Sequence, residues 1–175
     1  MLITLYVFLC ICITPAVFSP CSDQQERKRR QDIISKLCSL GEMRPERCKG
    51  EAENMKVQSP KISKQEEIIL PVLEMSFRIL SDLLMKNPSS DWKSSDLHVL
   101  QQLLGHQRQF YATCYPVASS THAEVEKWSA FWSNLTDYLT EKSFSSCAWE
   151  SSRTVILQVM RGFYISTAKS SIKIC

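Results

Sequence analysis

The chain has 175 residues, of which 22% are charged and 44% hydrophobic, and its formal net charge at pH 7 is +3. This length suits a single domain with a core of its own, and the mild positive charge gives no reason to expect a nucleic-acid partner. Glycine occurs only four times, and apolar residues recur at helical spacing rather than at every second position. Composition and periodicity therefore predict an all-α bundle without a sheet.

The first 18 residues carry no charged side chain and are mostly apolar. An apolar stretch at the N-terminus, followed by Pro15 and by Val17 and Ser19, is typical of a secretory signal peptide. We therefore expect residues 1–19 to be removed and residues 20–175 to form a single secreted, extracellular domain. A membrane anchor is the alternative interpretation, because the basic residues that usually open a signal peptide are absent.

The first predicted helix extends from about Gln24 to Leu40, and Gly41 is expected to cap its C-terminus. The basic run from Arg27 to Arg30 predicts a solvated first turn; binding of sulfated glycans and cleavage by a dibasic-processing protease are the alternatives. A connection of about 20 residues follows, which is long enough to cross the length of a bundle. The apolar positions of this helix are Ile33, Ile34, Leu37 and Leu40.

The second and third predicted helices are separated by a turn rich in serine and proline. The second begins either at the capping-box pattern of Ser63 and Glu66 or, because proline fits only the first helical turn, nearer Ile68. Its polar stripe is narrow, which predicts a central position in the bundle. The third extends from about Ser94 to Cys114. Their apolar positions are Val72, Leu73, Phe77, Ile79, Leu80, Leu83 and Leu84, and Leu97, Leu100, Leu103, Leu104, Phe110 and Tyr111.

The fourth predicted helix begins at a second capping-box pattern, Thr121 and Glu124, and the fifth extends from about Ser146 to Ala168. Asn134 begins an N-glycosylation acceptor on the polar side of the fourth helix, where a glycan would not disturb the packing. The predicted buried positions are Val125, Trp128, Trp132, Leu135 and Leu139 in the fourth helix, and Trp149, Ile156, Val159, Met160 and Phe163 in the fifth.

The cysteines constrain how these helices are arranged, because six of them follow the predicted signal peptide and six permit 15 pairings. Connections of about five residues make the later helices antiparallel to their neighbours, whereas the long first connection lets the first two helices run parallel. In this layout Cys21 lies beside Cys114 at one end of the bundle, and Cys48 lies beside Cys147 at the other. The remaining two cysteines are Cys38 and Cys175.

Two disulfides follow from this layout. Cys114 and Cys147 flank the fourth helix and are held roughly 30 Å apart, whereas a disulfide needs Cα atoms within about 7 Å. The predicted bridges are therefore Cys21–Cys114 and Cys48–Cys147. The state of Cys38 stays open: it is a buried free thiol, a partner of Cys175, or a link to a second molecule.

Several residues of this chain resemble one known family. The run Cys147-Ala148-Trp149-Glu150, followed by Arg153, is similar to the start of the last helix of type I interferons, the alpha/beta class. The stretch from Pro71 to Met75 and the interval between Trp92 and Cys114 are similar to that family as well. The resemblance implies a divergent vertebrate member, with a five-helix, up-up-down-down type long-chain helical cytokine bundle and a long crossover between the first two helices. It also implies the same two disulfides.

The functional implications of the resemblance concern receptors rather than catalysis. Members are secreted cytokines that bind the interferon alpha/beta receptor, which has two different chains, and induce antiviral Janus kinase–STAT signalling. The resemblance implies a monomer without cofactor, metal, nucleic acid or membrane insertion. The tight-binding receptor chain contacts the first helix, the first connection and the outer face of the last helix; the weaker chain lies across the second to fourth helices.

The family's receptor contacts can be carried over residue by residue. Along the last helix they fall on residues expected to face outward or to border the buried stripe: Arg153, Thr154, Leu157 and Gln158. Arg161, in the family-like run Met160-Arg161-Gly162-Phe163, is a second candidate on nearly the same face. For the weaker receptor chain the corresponding positions are Asp96, Gln101 and Gly105.

Two other functions compete with this interpretation. Another long-chain four-helix cytokine or hormone would have the same fold and a different receptor. A small secreted enzyme would need a catalytic constellation, but the three histidines fit no His-x-x-x-His pattern and no Gly-x-Ser-x-Gly motif occurs. The histidines are His98, His106 and His122. We therefore expect neither catalysis nor a metal site.

Overall fold

The computed structural model describes residues 21–41, 46–50, 55–115 and 123–168. The regular structure in this part of the chain is five long α-helices and a short 3₁₀ turn, without a strand. The helices are α1 (Asp23–Ser39), α2 (Glu66–Lys86), α3 (Ser94–Cys114), α4 (Ala123–Glu141) and α5 (Ser146–Ala168), and the 3₁₀ turn is Glu46–Cys48. The predicted signal peptide, residues 1–19, lies outside the described residues.

The contacts between helices fix their directions. Cys21, just before α1, is bonded to Cys114 at the end of α3, so α1 and α3 are antiparallel. Helix α2 packs along α3 after a short connection and is antiparallel to it, which makes α1 and α2 parallel. Arg30, early in α1, reaches Thr167 at the end of α5, so these helices are antiparallel too. Helix α4 runs parallel to α1. The other four helices, taken in chain order, run up, up, down and down, as predicted.

The core draws large side chains from all five helices, and its predicted positions are confirmed with four exceptions. Fully burying one such side chain contributes about 1.5–3 kcal/mol. The indole of Trp132 on α4 donates to Ser76 Oγ of α2 at 2.8 Å, which satisfies the one polar group of that buried ring. Four predicted core residues are only partly buried, namely Ile79, Leu97, Leu103 and Val125.

Two predicted helix ends differ from the structure. The N-cap of α2 is Gln65, and Ser63 Oγ accepts a hydrogen bond from the Gln65 N–H at 3.2 Å instead of capping the helix. Pro71 lies inside α2 rather than in its first turn. The acidic side chains of Glu66 and Glu67 interact favourably with the N-terminal end of the helix dipole and so stabilise the turn before the proline. At the end of α1 the cap is Leu40 in a right-handed conformation, so Gly41 does not cap the helix in a left-handed one. The predicted cap Thr121 lies outside the described residues.

Both predicted disulfides are present. Their Cα–Cα distances are 5.5 Å for Cys21–Cys114 and 5.0 Å for Cys48–Cys147. Each closes a loop of more than 90 residues (sequence separations 93 and 99), for which the chain-entropy account assigns about 4–5 kcal/mol. Cys38 is disulfide-bonded as well, so the free-thiol interpretation is wrong; Cys175 lies outside the described residues. We call the end with Cys48–Cys147 the upper pole and the other end the lower pole.

Candidate functional site

The signature residues of α5 build a buried polar cluster at the upper pole, made of Trp92, Glu150 and Arg153. Arg153 is 1% exposed. Its guanidinium donates to the main-chain carbonyls of Leu37 at 2.8 Å and Gly41 at 3.1 Å, and its Nε lies 3.0 Å from a Glu150 oxygen. The other Glu150 oxygen accepts from the Trp92 indole at 2.7 Å. Arg153 therefore caps the C-terminus of α1 from another helix.

Gly41 has a steric role in this upper-pole cluster. A Cβ placed on it would lie 2.9 Å from Glu150 Oε1 and 3.7 Å from Arg153 Nη2. A side chain here would push the Glu150–Arg153 pair away from the α1 carbonyls. Glycine is thus required by close approach rather than by backbone conformation.

The expectation that Arg153 and Leu157 face outward is wrong, because both are 1% exposed. The residue-by-residue carry-over put them near the edge of the buried stripe, but Arg153 is covered by the C-terminal end of α1, whose carbonyls it caps. The connection between α1 and α2 also packs on α5. The Cys48–Cys147 bond holds the 3₁₀ turn against the start of α5. Further along, Ile62 packs so closely on Gly162 that any Cβ at this glycine would collide with it.

One face of α5 reaches solvent along a narrow strip, which we call the outer stripe: Thr154, Gln158, Arg161 and Ile165. Their spacing of three or four residues puts them on one helical face. Gln158 is exposed, Thr154 and Arg161 are partly buried, and Ile165 is 54% exposed. Arginine is among the residue types that are enriched in binding hot spots, and the exposed Ile165 one turn away adds apolar area to the same face.

Helix α1 extends this surface across a groove about 370 Å³ in volume. The groove is lined by Asp23, Gln24, Arg27, Lys28 and Gln31 of α1 and by Tyr164 of α5. The basic run therefore divides: Arg27 and Lys28 are exposed, whereas Arg29 lies 5.0 Å from the Phe110 ring centroid and Arg30 is buried. The predicted solvated turn is confirmed for its first half only.

A second buried polar cluster, at the lower pole, consists of Glu26, Arg30, Gln107 and Tyr111. Glu26 pairs with Arg30 at 2.6 Å, accepts from Gln107 Nε2 at 2.7 Å, and accepts from the Tyr111 hydroxyl. Burial raises the pKa of Tyr111 well above its usual 10. This cluster was not predicted from the sequence, although the four-residue spacing of Glu26 and Arg30 and their register with Ile33 and Ile34 indicate it.

The remaining predicted positions are spread over α3 and α4. Asp96 pairs with Lys36 at 2.8 Å, and the hydrogen bond from Lys36 lowers the pKa of that carboxyl. Gln101 is half-buried and donates to the Leu84 carbonyl at 2.8 Å. Gly105 is half-buried, with no atom within 4 Å of a Cβ placed on it. Asn134 is exposed on α4, and His98 and His106 are exposed on α3.

The described residues contain neither a cluster suited to a metal ion nor a helix suited to a membrane. No group of three or more His, Cys, Asp or Glu side chains is placed to hold a metal ion in these ranges. None of the helices in this part of the chain has the length and apolar character that crossing a bilayer requires.

Comparisons with known proteins agree with this geometry. Residues 22–169 match the family model of the interferon alpha/beta domain. The structure is similar to that of zebrafish interferon 2, with a TM-score of 0.68 at 21% identity, and the match covers 79% of this chain and 96% of that chain. Comparison with curated protein sequences gives no significant match. The chain belongs to the interferon alpha/beta family, the type I interferons, which are cytokines and not enzymes.

Proposed function

We propose that this protein is a secreted type I interferon that binds the two chains of the interferon alpha/beta receptor and induces antiviral Janus kinase–STAT signalling. The observation that carries the proposal is the interferon alpha/beta domain over residues 22–169, a span that includes all five helices. Removal of residues 1–19 as a signal peptide and action as a monomer belong to the same proposal.

The outer stripe of α5, together with the exposed face of α1, is the proposed contact for one receptor chain. It combines the exposed apolar Ile165 with Arg161 and Gln158, and arginine is one of the residue types most enriched in hot spots. Arg153 and Leu157 are not part of this contact, because they have almost no accessible surface. Thr154 forms the upper end of this contact.

The outer face of α3 is the proposed contact for the second receptor chain. Glycine inside a helix costs about 0.5–1 kcal/mol relative to alanine, yet no neighbour within the described chain needs the space beside Gly105. A partner that approaches the α3 backbone closely would explain this residue. The acceptor Asn134 is exposed on α4, so we propose a glycan there and a receptor chain that is centred on α3 rather than α4.

The decisive experiment uses reporter cells from a matched host and derivatives that lack one receptor chain at a time. We expect the secreted protein to activate the reporter and to lose activity in either derivative. Activation that persists without both chains would contradict the proposal and favour the alternative, a long-chain cytokine or hormone with a different receptor.

Matched variants test the assigned surfaces. Arg161→Glu should weaken binding to the isolated tight-binding receptor chain by about tenfold or more, with unchanged thermal unfolding. Lys127→Glu, an equal charge reversal on exposed α4, is the control and should leave the affinity unchanged. Equal effects of the two variants would mean that the outer stripe is not the contact.

Gly105→Arg tests the second contact separately. The substitution meets no atom of the described chain near its Cβ and improves helix propensity, so folding should persist. We expect signalling to fall while affinity for the first receptor chain stays the same. Full signalling by Gly105→Arg would remove α3 from the interface.

A further inference from the structure

Exposed lysines without an intervening carboxylate occupy the second part of the segment between the 3₁₀ turn and α2. Residues 55–65, which we call the lysine segment, contain three lysines and no acidic residue: Lys56, Lys61 and Lys64. All three are exposed, and none forms an ion pair or hydrogen bond within the described part of the chain. By contrast, Lys36, Lys49 and Lys127 each pair with a carboxylate.

The backbone of the lysine segment is held in place while its lysines point to solvent. Ile62 packs on Gly162 of α5. Met55 and Val57 are partly buried against the core. Pro60 restricts the backbone at the centre of the segment. The charges are therefore displayed on an anchored chain without regular secondary structure, and ordering them for a ligand costs less entropy than ordering a free loop.

The lysine segment is bordered in sequence by glutamates, Glu51 and Glu53 before it and Glu66 and Glu67 after it, so its positive charge is confined to residues 56–64. Helix α5, on which it lies, has one carboxylate, Glu150, and this group is buried in its pair with Arg153. Helix α4 is the opposite case, because it carries four exposed or half-exposed carboxylates and a single lysine. The α4 carboxylates are Glu124, Glu126, Asp137 and Glu141. The lysines thus lie beside a helix that exposes no carboxylate in its described residues, whereas α4 exposes several, and such an uneven charge distribution helps to orient a charged partner during approach.

The residue type and the spacing indicate what the partner is. Lysine is depleted in protein–protein interfaces, where arginine and aromatic residues dominate, so three unpaired lysines fit a flexible polyanion better than a protein. The reach of the chain limits the Cα atoms of Lys61 and Lys64 to at most about 11 Å apart and those of Lys56 and Lys61 to at most about 18 Å apart, a closely spaced series of charges. Disulfides indicate an oxidising, extracellular setting, where linear polyanions are sulfated glycans.

We propose that the lysine segment binds a linear sulfated glycan of the heparan sulfate type. Such binding retains the cytokine at cell surfaces and matrix, and it is a function separate from the receptor contacts assigned above. The basic run on α1 is the weaker candidate for the same ligand, because only Arg27 and Lys28 reach solvent there and Asp23 lines the same groove.

The test measures binding to heparin at several salt concentrations. The triple variant Lys56→Gln, Lys61→Gln, Lys64→Gln should lose about tenfold or more of the affinity and much of its salt dependence. The control is the triple variant Lys86→Gln, Lys93→Gln, Lys127→Gln, which changes the net charge equally at exposed sites elsewhere and should bind like the wild type. A third variant, Arg27→Gln with Lys28→Gln, should retain most of the affinity.

Several outcomes would overturn the proposal. Equal losses in the two lysine triples would mean that only net charge matters, and a larger loss in the α1 variant would move the site to α1. Equally tight binding to hyaluronan, single-stranded DNA or phosphatidylserine vesicles would contradict selectivity for sulfate groups. Weaker binding of the lysine-segment triple to isolated receptor chains would make these lysines receptor contacts. Because heparin binding needs no receptor, it is unaffected if the proposed receptor is wrong.

Discussion

The two poles of the bundle solve the same packing problem in different ways. Each has a disulfide and a buried arginine–glutamate pair one turn apart on a single helix. At the lower pole Glu26 is the hub, and its donors are side chains of α1 and α3. At the upper pole Arg153 is the hub, and its acceptors include main-chain carbonyls at the end of α1. The lower-pole cluster links helices to one another. The upper-pole cluster also fixes the end of α1, where the long connection to α2 begins.

This difference predicts unequal costs for removing each arginine. Arg153→Met leaves Glu150 buried without its cation and removes the donors to Leu37 and Gly41, so we expect a loss of about 3–5 kcal/mol of unfolding free energy. Arg30→Met leaves Glu26 with Gln107 and Tyr111, so the loss should be about 1.5–3 kcal/mol. Urea unfolding of the two variants measures both values, and a larger loss for Arg30→Met would reverse the comparison.

The disulfides should be similar in energy and different in local effect. Replacing either pair by serine should cost about 2–5 kcal/mol, since the two loops are nearly equal in length. Loss of Cys48–Cys147 should also release the 3₁₀ turn from α5, which hydrogen exchange of residues 46–50 would detect. The Cys21→Ser, Cys114→Ser variant is the matched control. Equal exchange at residues 46–50 in both variants would contradict the role assigned to the upper pole.

Trp92 tests the hydrogen bond that completes the upper-pole cluster. Trp92→Phe removes the indole donor from the charged Glu150, and we expect a loss of about 1.5–3 kcal/mol. The matched variant is Trp132→Phe, which removes an indole hydrogen bond of 2.8 Å to the neutral Ser76 hydroxyl. Loss of that hydrogen bond should cost about 0.5–1.5 kcal/mol. Equilibrium unfolding in urea distinguishes the two. A smaller loss for Trp92→Phe would mean that Glu150 does not depend on the indole.

The lower pole should control stability at alkaline pH. Burial raises the pKa of Tyr111 above its usual 10 in the folded protein, so above that pH the unfolded chain loses its proton first. Stability is therefore intact below pH 10 and falls as the pH rises further. Tyr111→Phe should be less stable at pH 7 but show a flatter decline above pH 10. Trp92→Phe should keep the wild-type slope; an unchanged slope in Tyr111→Phe would exclude Tyr111 as the cause.

The periodic parts of this fold were predictable, and the non-periodic contacts were not. The bounds of α3 and α5 agree with their predicted ends, because turn residues and apolar spacing mark them clearly. The disulfides followed from connection lengths. The burial of Arg153 did not, because it depends on main-chain carbonyls at the C-terminal end of α1, a contact between distant parts of the chain that leaves no periodic pattern. For the same reason the signature residues from Cys147 to Arg153 indicated the family correctly, although Arg153 itself was wrongly predicted to lie on the outer face of α5.

The parallel arrangement of α1 and α2 underlies both poles, the outer stripe and the exposure of the lysine segment. Peptide mapping of the secreted protein without reduction tests it most directly. The structure predicts peptides that join Cys21 to Cys114 and Cys48 to Cys147. A peptide that joins Cys114 to Cys147 would contradict the arrangement, because α4 separates these two cysteines along its full length.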